Sequence, residues 1–134
     1  MDVDPALSGS RRLPPAATLL IVEDDDAVRR VLERLLVRFG YRVLSAADGE
    51  EALSLLGQHR AAVDLVISDA SMPKMTGPEL YRALRASGNA VRFLFASAGT
   101  IDAGADPADQ NLRVLPKPYN VEELVRAVRE MLAA

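Results

Sequence analysis

Short runs of apolar, β-branched residues alternate with longer segments of helical period along most of this chain. The runs that we predict to be strands are residues 18–22, 42–46, 63–68, 92–96 and 113–115. The first, third and fourth runs are almost continuously apolar, as expected of strands that helices cover on both faces. Strands that alternate with helices are typical of βαβ units, in which the strands run parallel. The pattern therefore predicts an α/β fold with a doubly wound parallel sheet.

Four segments carry the signals of helices. After the first strand, apolar residues recur with a helical period, and Gly40 follows them where a C-terminal cap belongs. These apolar residues are Val28, Val31, Leu32, Leu35, Leu36 and Phe39. Three later helices begin with a capping residue that is followed three positions on by Glu, as in a capping box: Asp48 with Glu51, Thr76 with Glu79, and Asn120 with Glu123.

The stretch between the last two strands has no such signal. Residues 99–112 follow no apolar period and are interrupted by Gly104 and Pro107. Asp106 could cap a helix of no more than two turns there. We therefore predict that the fourth helix of the fold is short or poorly ordered.

Length and composition limit the classes of protein that the chain can be. Its 134 residues suit one domain. Residues 1–17 contain three prolines and no apolar period, so we interpret them as a flexible linker or tail and residues 18–134 as the domain. The net charge of −3 argues against nucleic-acid binding, and no apolar run approaches the ~20 residues of a membrane-spanning helix. The absence of cysteine excludes disulfides and thiolate sites and fits a reducing, cytoplasmic location.

Polar side chains stand directly after the apolar runs. Glu23 and Asp24 follow the first strand, Asp69 the third, Ser97 the fourth and Lys117 the fifth. The carboxyl ends of parallel strands share one edge of a sheet, and ligands bind there where the strand order reverses. The spacing therefore predicts that these five residues lie together.

These residue types point to phosphoryl chemistry. Three carboxylates brought close together repel one another unless a cation lies among them. An all-oxygen set suits Mg²⁺, while Lys117 adds a positive charge and Ser97 a hydroxyl donor. Such a set suits a transferring phosphoryl group, and an Asp can itself be the nucleophile.

Four blocks of the sequence resemble the signature blocks of response-regulator receiver domains. They are LLIVEDD at 19–25, DLVISDASMPKMTG at 64–77, FASA at 95–98 and LPKP at 115–118. The resemblance covers about residues 18 to 133 and implies a flavodoxin-like (βα)5 fold with strand order 2-1-3-4-5. The residues within the blocks resemble those of hybrid histidine kinase receivers somewhat more than those of other receivers.

The resemblance also implies a role for each matching residue. Asp69 would accept the phosphoryl group, Asp24 would bind Mg²⁺ directly, and Glu23 would reach the ion through water. The backbone carbonyl of Ser71 would be a further metal ligand. Ser97 would supply the switch hydroxyl. Lys117 would pair with the phosphoryl group, and the peptide bond between it and Pro118 would be cis.

The implied function is a self-modified switch rather than a turnover enzyme. The chain would take a phosphoryl group from a histidine kinase or a histidine phosphotransfer protein and lose it slowly to water. A stand-alone regulator and a domain of a hybrid kinase both fit, and a weak homodimer stays open.

Other classes of protein fit less well. A pseudo-receiver that binds a partner without phosphorylation is favoured by Val114, because receivers commonly carry an aromatic residue there. The intact acid, Ser and Lys set opposes that alternative. A magnesium-dependent phosphatase would need a second acid where Ser71 stands, and a flavin binder would need a phosphate-cradling loop after the first strand.

The remaining polar residues have simpler interpretations. Asp25 and Asp26 are expected to cap the first helix, and Lys74 is expected to face solvent. His59, the only histidine, is expected to be a surface residue rather than a phosphodonor.

Overall fold

The computed structural model describes residues 16–58, 62–98 and 108–133, which form a five-stranded sheet with helices on both faces. The strands are β1 (Thr18–Val22), β2 (Arg42–Ala46), β3 (Leu65–Asp69), β4 (Arg92–Ser97) and β5 (Leu112–Pro116). The helices are α1 (Asp26–Arg38), α2 (Gly49–Gln58), α3 (Gly77–Ala86) and α4 (Val121–Ala133). All strand pairs are parallel, in the order β2-β1-β3-β4-β5, so the predicted fold class and strand order are confirmed.

The third strand differs from its predicted bounds. It was expected at residues 63–68, but β3 pairs with β1 only from Leu65 onward, opposite Leu19. Before that, the N–H of Asp64 donates to the carbonyl of Thr18 (2.8 Å) and its carboxylate accepts the N–H of Thr18 (2.8 Å). At the other end, Asp69 pairs with Ala96. Asp69 is thus the last residue of the strand, held by the sheet, rather than the first residue beyond it.

The predicted helix starts match the structure. Asp25 is the N-cap of α1, and its carboxylate accepts the N–H groups of Ala27 and Val28. Thr76 and Glu79 form a reciprocal capping box on α3, and Asn120 and Glu123 form one on α4. At α2, Asp48 accepts the N–H of Glu51 as expected, but the Glu51 carboxylate accepts the N–H of Ala47 instead of that of Asp48.

Residues outside the described ranges leave some predictions untested. The proposed cap at Asp106 and Pro107, the surface position of His59, and residues 1–15 of the predicted linker lie outside them. Among the described residues between β4 and β5, none is helical. No helix in the described part of the chain has both the length and the apolar character that a membrane-spanning helix needs.

Alternate residues of the strands build two apolar clusters, one on each face of the sheet. Leu20, Val66 and Phe93 face α2 and α3, whereas Leu19, Leu65 and Leu94 face α1 and α4. All six side chains are fully buried, which fixes both the register of the strands and the sides that the helices cover.

The apolar stripe of α1 is wider than the surface that it buries. Leu32 and Leu36 are buried, but Val31 is 63 % exposed and Val28 is 42 % exposed. Phe39, just after the helix, is also exposed. The helical period was therefore predicted correctly, but only its central rows pack on the sheet.

A polar network joins α3 to the residues that lead into β5. The Tyr81 hydroxyl donates to Asp109 Oδ2 (2.6 Å), and Arg85 Nε donates to the same oxygen (2.8 Å). Asp109 Oδ1 accepts the N–H of Asn111 (2.9 Å). Burial acts to raise the pKa of Asp109, but the hydrogen bonds from Tyr81, Arg85 and Asn111 outweigh it and hold the pKa below its ordinary value.

Candidate functional site

Three carboxylates meet at the carboxyl end of β1 and β3. These neighbouring strands are in register up to the pair of Val22 and Ser68, so the residues that follow lie side by side. One carboxylate oxygen from each of Glu23, Asp24 and Asp69 lies within 4.8 Å of the others. Glu23 is buried, Asp69 is partly buried and Asp24 is exposed. The predicted cluster of acids is therefore assembled by the fold.

Burial and the neighbouring charges both act on the pKa of Glu23. Burial raises this pKa, a hydrogen bond from the N–H of Asp25 opposes the rise, and the nearby charges of Asp69 and Asp24 add to it. The net pKa lies above the ordinary value. A small hard cation placed among these oxygens would relieve the repulsion between the carboxylates, so the residues present fit Mg²⁺.

Lys117 supplies the opposite charge. Its Nζ lies 3.0 Å from Asp69 Oδ1, and its backbone N–H donates to the carbonyl of Ser97 (2.7 Å), which ties the end of β5 to the end of β4. Burial acts to lower the pKa of Lys117, but the hydrogen bond to Asp69 and the attraction of Asp69 and Glu23 raise it above its ordinary value. The predicted cis peptide between Lys117 and Pro118 is present.

The two serines predicted for the site lie beside the same aspartate. Ser97 is buried at the end of β4, one residue beyond Ala96, which pairs with Asp69. Ser71 is exposed, and its N–H lies 3.4 Å from Asp69 Oδ1. The structure thus brings all six predicted residues to one end of the sheet, and the part that each plays in binding or chemistry stays a prediction.

Two contacts that shape the site were not predicted from the sequence. A Cβ added to Gly77 would lie 2.5 Å from the backbone oxygen of Asp69, so only glycine fits there without displacing the backbone. The Arg29 guanidinium donates through Nη1 to the backbone oxygen of Glu23 (2.8 Å). The only signals in the sequence are a glycine after a capping Thr and an Arg in the first turn of a helix. Neither signal identifies the backbone oxygen that the residue meets.

An apolar groove opens along α1. It lies between α1 and the start of α4, has a volume of about 420 Å³, and is lined in part by Val28, Val31, Tyr119 and Val121. Val121 is 47 % exposed, and Val28 and Val31 of α1 are exposed as well. Exposed apolar side chains gathered in one groove are typical of a binding surface.

The chain is similar over most of its length to known signalling proteins. A family model described as response regulator receiver domain matches residues 19–129. The sensor kinase CckA of Brucella abortus is 44% identical over 122 residues, which are 90% of this chain and 13% of that protein. The response regulator MprA of Mycobacterium sp. (strain KMS) is 39% identical over 122 residues, 85% of this chain and 50% of that protein. The chain therefore spans half or less of the length of these relatives.

Solved structures agree with that similarity. The receiver domain of the hybrid histidine kinase CckA has a TM-score of 0.74 and 38% identity, and the match covers 87% of this chain and 99% of that one. The response regulator protein TrrA from Thermotoga maritima, in complex with Mg²⁺–BeF, has a TM-score of 0.72 and 27% identity. That match covers 86% of this chain and 98% of that one.

Proposed function

Since this chain belongs to the family of response regulator receiver domains, we propose that it is a phosphoacceptor switch of a two-component system, with Asp69 as the acceptor. One observation carries the proposal. The Asp69 carboxylate lies both within the acidic cluster and 3.0 Å from the ammonium of Lys117. A nucleophile placed between a cation site and a fixed positive charge is the arrangement that phosphoryl transfer needs.

Mg²⁺ is the cofactor of this proposal. Asp24, Asp69 and the backbone carbonyl of Ser71 would hold the ion directly, and Glu23 would hold it through water. When bound, the ion supplies positive charge to the acids and to the oxygens of the incoming phosphoryl group. The all-oxygen donor set supports this assignment.

The transfer proceeds between a partner phosphohistidine and Asp69. A carboxylate oxygen of Asp69 attacks phosphorus, the P–O bond forms as the P–N bond breaks, and the electron pair of that bond stays on the imidazole nitrogen. Lys117 exchanges its hydrogen bond to Asp69 for one to a phosphoryl oxygen, and the Ser97 hydroxyl donates to another. Slow attack by water at phosphorus later breaks the P–O bond to Asp69, releases inorganic phosphate and returns Asp69 to its free carboxylate. The protein thus modifies itself and turns over no separate substrate.

The partner is a histidine kinase or a histidine phosphotransfer protein in the cytoplasm. The groove between α1 and the start of α4 supports a helical partner with apolar side chains, because Val28, Val31 and Val121 are exposed there. Ala27 and Asn120 also line the groove and are close in the chain to Asp24 and Lys117, so we propose that a partner docked there presents its phosphohistidine to Asp69. The similarity to CckA supports a place within a hybrid kinase or its relay.

Intact-mass measurement tests the proposal directly. The protein is mixed with acetyl phosphate and Mg²⁺, and we expect a gain of one phosphoryl group that chelation of the ion prevents. Asp69→Asn should gain nothing. Asp64→Asn, which changes an exposed aspartate just before the same strand, should gain mass like the wild type. No gain in the wild type would reject the phosphoacceptor and leave the pseudo-receiver.

A further inference from the structure

Arg29 connects helix α1 to the loop that carries two of the three acids. Its Nη1 donates to the backbone oxygen of Glu23 (2.8 Å), while its Nη2 pairs with the carboxylate of Asp26. The Arg29 side chain is only 16% exposed, whereas that of Asp26 is 70% exposed. The guanidinium is thus packed against the protein on the side of Glu23 and anchored from the solvent side by Asp26.

We propose that Arg29 is a positioning residue for the acidic cation site, an inference that rests on the proposed function of that site. The backbone oxygen of Glu23 belongs to the peptide plane that joins Glu23 to Asp24. Because a peptide unit is rigid, holding this oxygen restricts the movement of the whole plane, which also contains both Cα atoms. Arg29 therefore sets the directions in which the two carboxylates leave the backbone.

Other hydrogen bonds hold the backbone on either side of this peptide. The peptide between Glu23 and Asp24 is therefore the part of the loop whose orientation they leave free. The N–H of Glu23 donates to the carbonyl of Ala46 (3.1 Å), which continues the sheet. The N–H of Asp25 donates to Glu23 Oε2 (3.0 Å), and the Asp25 carboxylate caps α1. The charged guanidinium of Arg29 donates to the oxygen between them (2.8 Å) and so completes the hydrogen bonds that hold the loop.

Charge and position predict effects of opposite sign, which makes the inference testable. A nearby positive charge repels Mg²⁺, so removing Arg29 would tighten binding of the ion by up to about threefold if the side chain acted only through its charge. Loss of a group that orients metal ligands instead weakens binding, roughly 10- to 100-fold in known sites. Arg30 is the matched control, because it carries the same charge at the next position and is exposed.

The experiment is a titration of the full chain with Mg²⁺, followed by amide chemical shifts in NMR spectra, with urea unfolding measured in parallel. We expect Arg29→Ala to bind Mg²⁺ at least about tenfold more weakly than the wild type. Arg29→Lys should also bind more weakly, because an ammonium keeps the charge but lacks the planar fork that joins two acceptors. Arg30→Ala should bind equally or slightly more tightly.

The outcomes distinguish failure of the positioning role from failure of the proposed function. If both Arg29 variants bind Mg²⁺ as tightly as Arg30→Ala, the positioning role is wrong even if their unfolding midpoints fall. If Arg29→Ala does not fold, the Lys variant alone decides. If the wild type itself does not respond to Mg²⁺, the proposed function fails and the positioning role fails with it.

Discussion

Replacing Lys117 with Met should make the protein bind Mg²⁺ more tightly while impairing its phosphorylation. Methionine keeps the length of the side chain and removes the ammonium that lies 3.0 Å from Asp69 Oδ1. An ion bound to that oxygen at ~2.1 Å could be no more than about 5 Å from Nζ. The ammonium therefore repels any cation that the acids hold.

Coulomb's law gives the size of the effect. A unit charge and a divalent charge ~5 Å apart repel by about 1.7 kcal/mol even at the dielectric constant of water, which corresponds to more than tenfold in affinity. The partly buried surroundings of Asp69 make this a lower bound. Without the ion, the variant should be less stable by about 1 to 2 kcal/mol, between the values typical of exposed and of buried ion pairs.

The assay is the Mg²⁺ titration followed by amide shifts, combined with urea unfolding and intact-mass measurement with acetyl phosphate. Lys74→Met is the matched control, because Lys74 is the other lysine of the sequence and its side chain is 67% exposed. We expect tighter Mg²⁺ binding and slower phosphorylation in Lys117→Met alone. Equal or weaker Mg²⁺ binding in that variant would show that the ammonium and the ion do not share one site.

Three further predictions concern the frame of the fold. Gly77→Ala should lower the free energy of unfolding by about 1 to 3 kcal/mol because its Cβ would meet the Asp69 backbone, whereas Gly57→Ala, with open space in α2, should raise it by up to ~1 kcal/mol; urea unfolding checks both. The lowered pKa of Asp109 means that its contribution to stability is present above its unfolded pKa, near 3.8, and is lost as the pH falls below that value. The free energy of unfolding, measured between pH 6 and pH 3, should therefore depend less on pH in Asp109→Asn than in the wild type. An unchanged dependence would show that Asp109 does not contribute to it. Tyr81→Phe keeps the aromatic packing and removes one hydrogen bond to Asp109, so it should cost about 1 to 2 kcal/mol in the same assay.

Most of the fold follows from periodicity, because a parallel sheet covered on both faces leaves a strong pattern in the sequence. The first two strands were predicted to the residue, and the caps at Asp25, Thr76 and Asn120 were predicted from local chemistry. The start of β3 was not, since Val63 is as apolar as the strand and is also buried, but the ladder with β1 begins two residues later. Strand bounds depend on the partner strand, which the local sequence does not contain.

The site was predictable for a related reason. Residues at the carboxyl ends of parallel strands must meet at one edge, so Glu23, Asp69 and Lys117 could be predicted to lie together from their spacing alone. The tight approach of Gly77 to Asp69 and the bond from Arg29 to Glu23 depend on how a helix is rotated against a loop. No periodicity encodes that rotation.

Helix α1 links the apolar groove to the acidic cluster, because two adjacent residues of the helix contact one each. Val28 opens toward the apolar groove, and Arg29 holds the peptide that aims two acids. A partner that displaces this turn of helix as it binds must also alter the affinity for the cation. Thermodynamic reciprocity then requires the cation to alter the affinity for the partner by the same factor. Binding of the phosphodonor and binding of the cation would thus be coupled through a single helical turn.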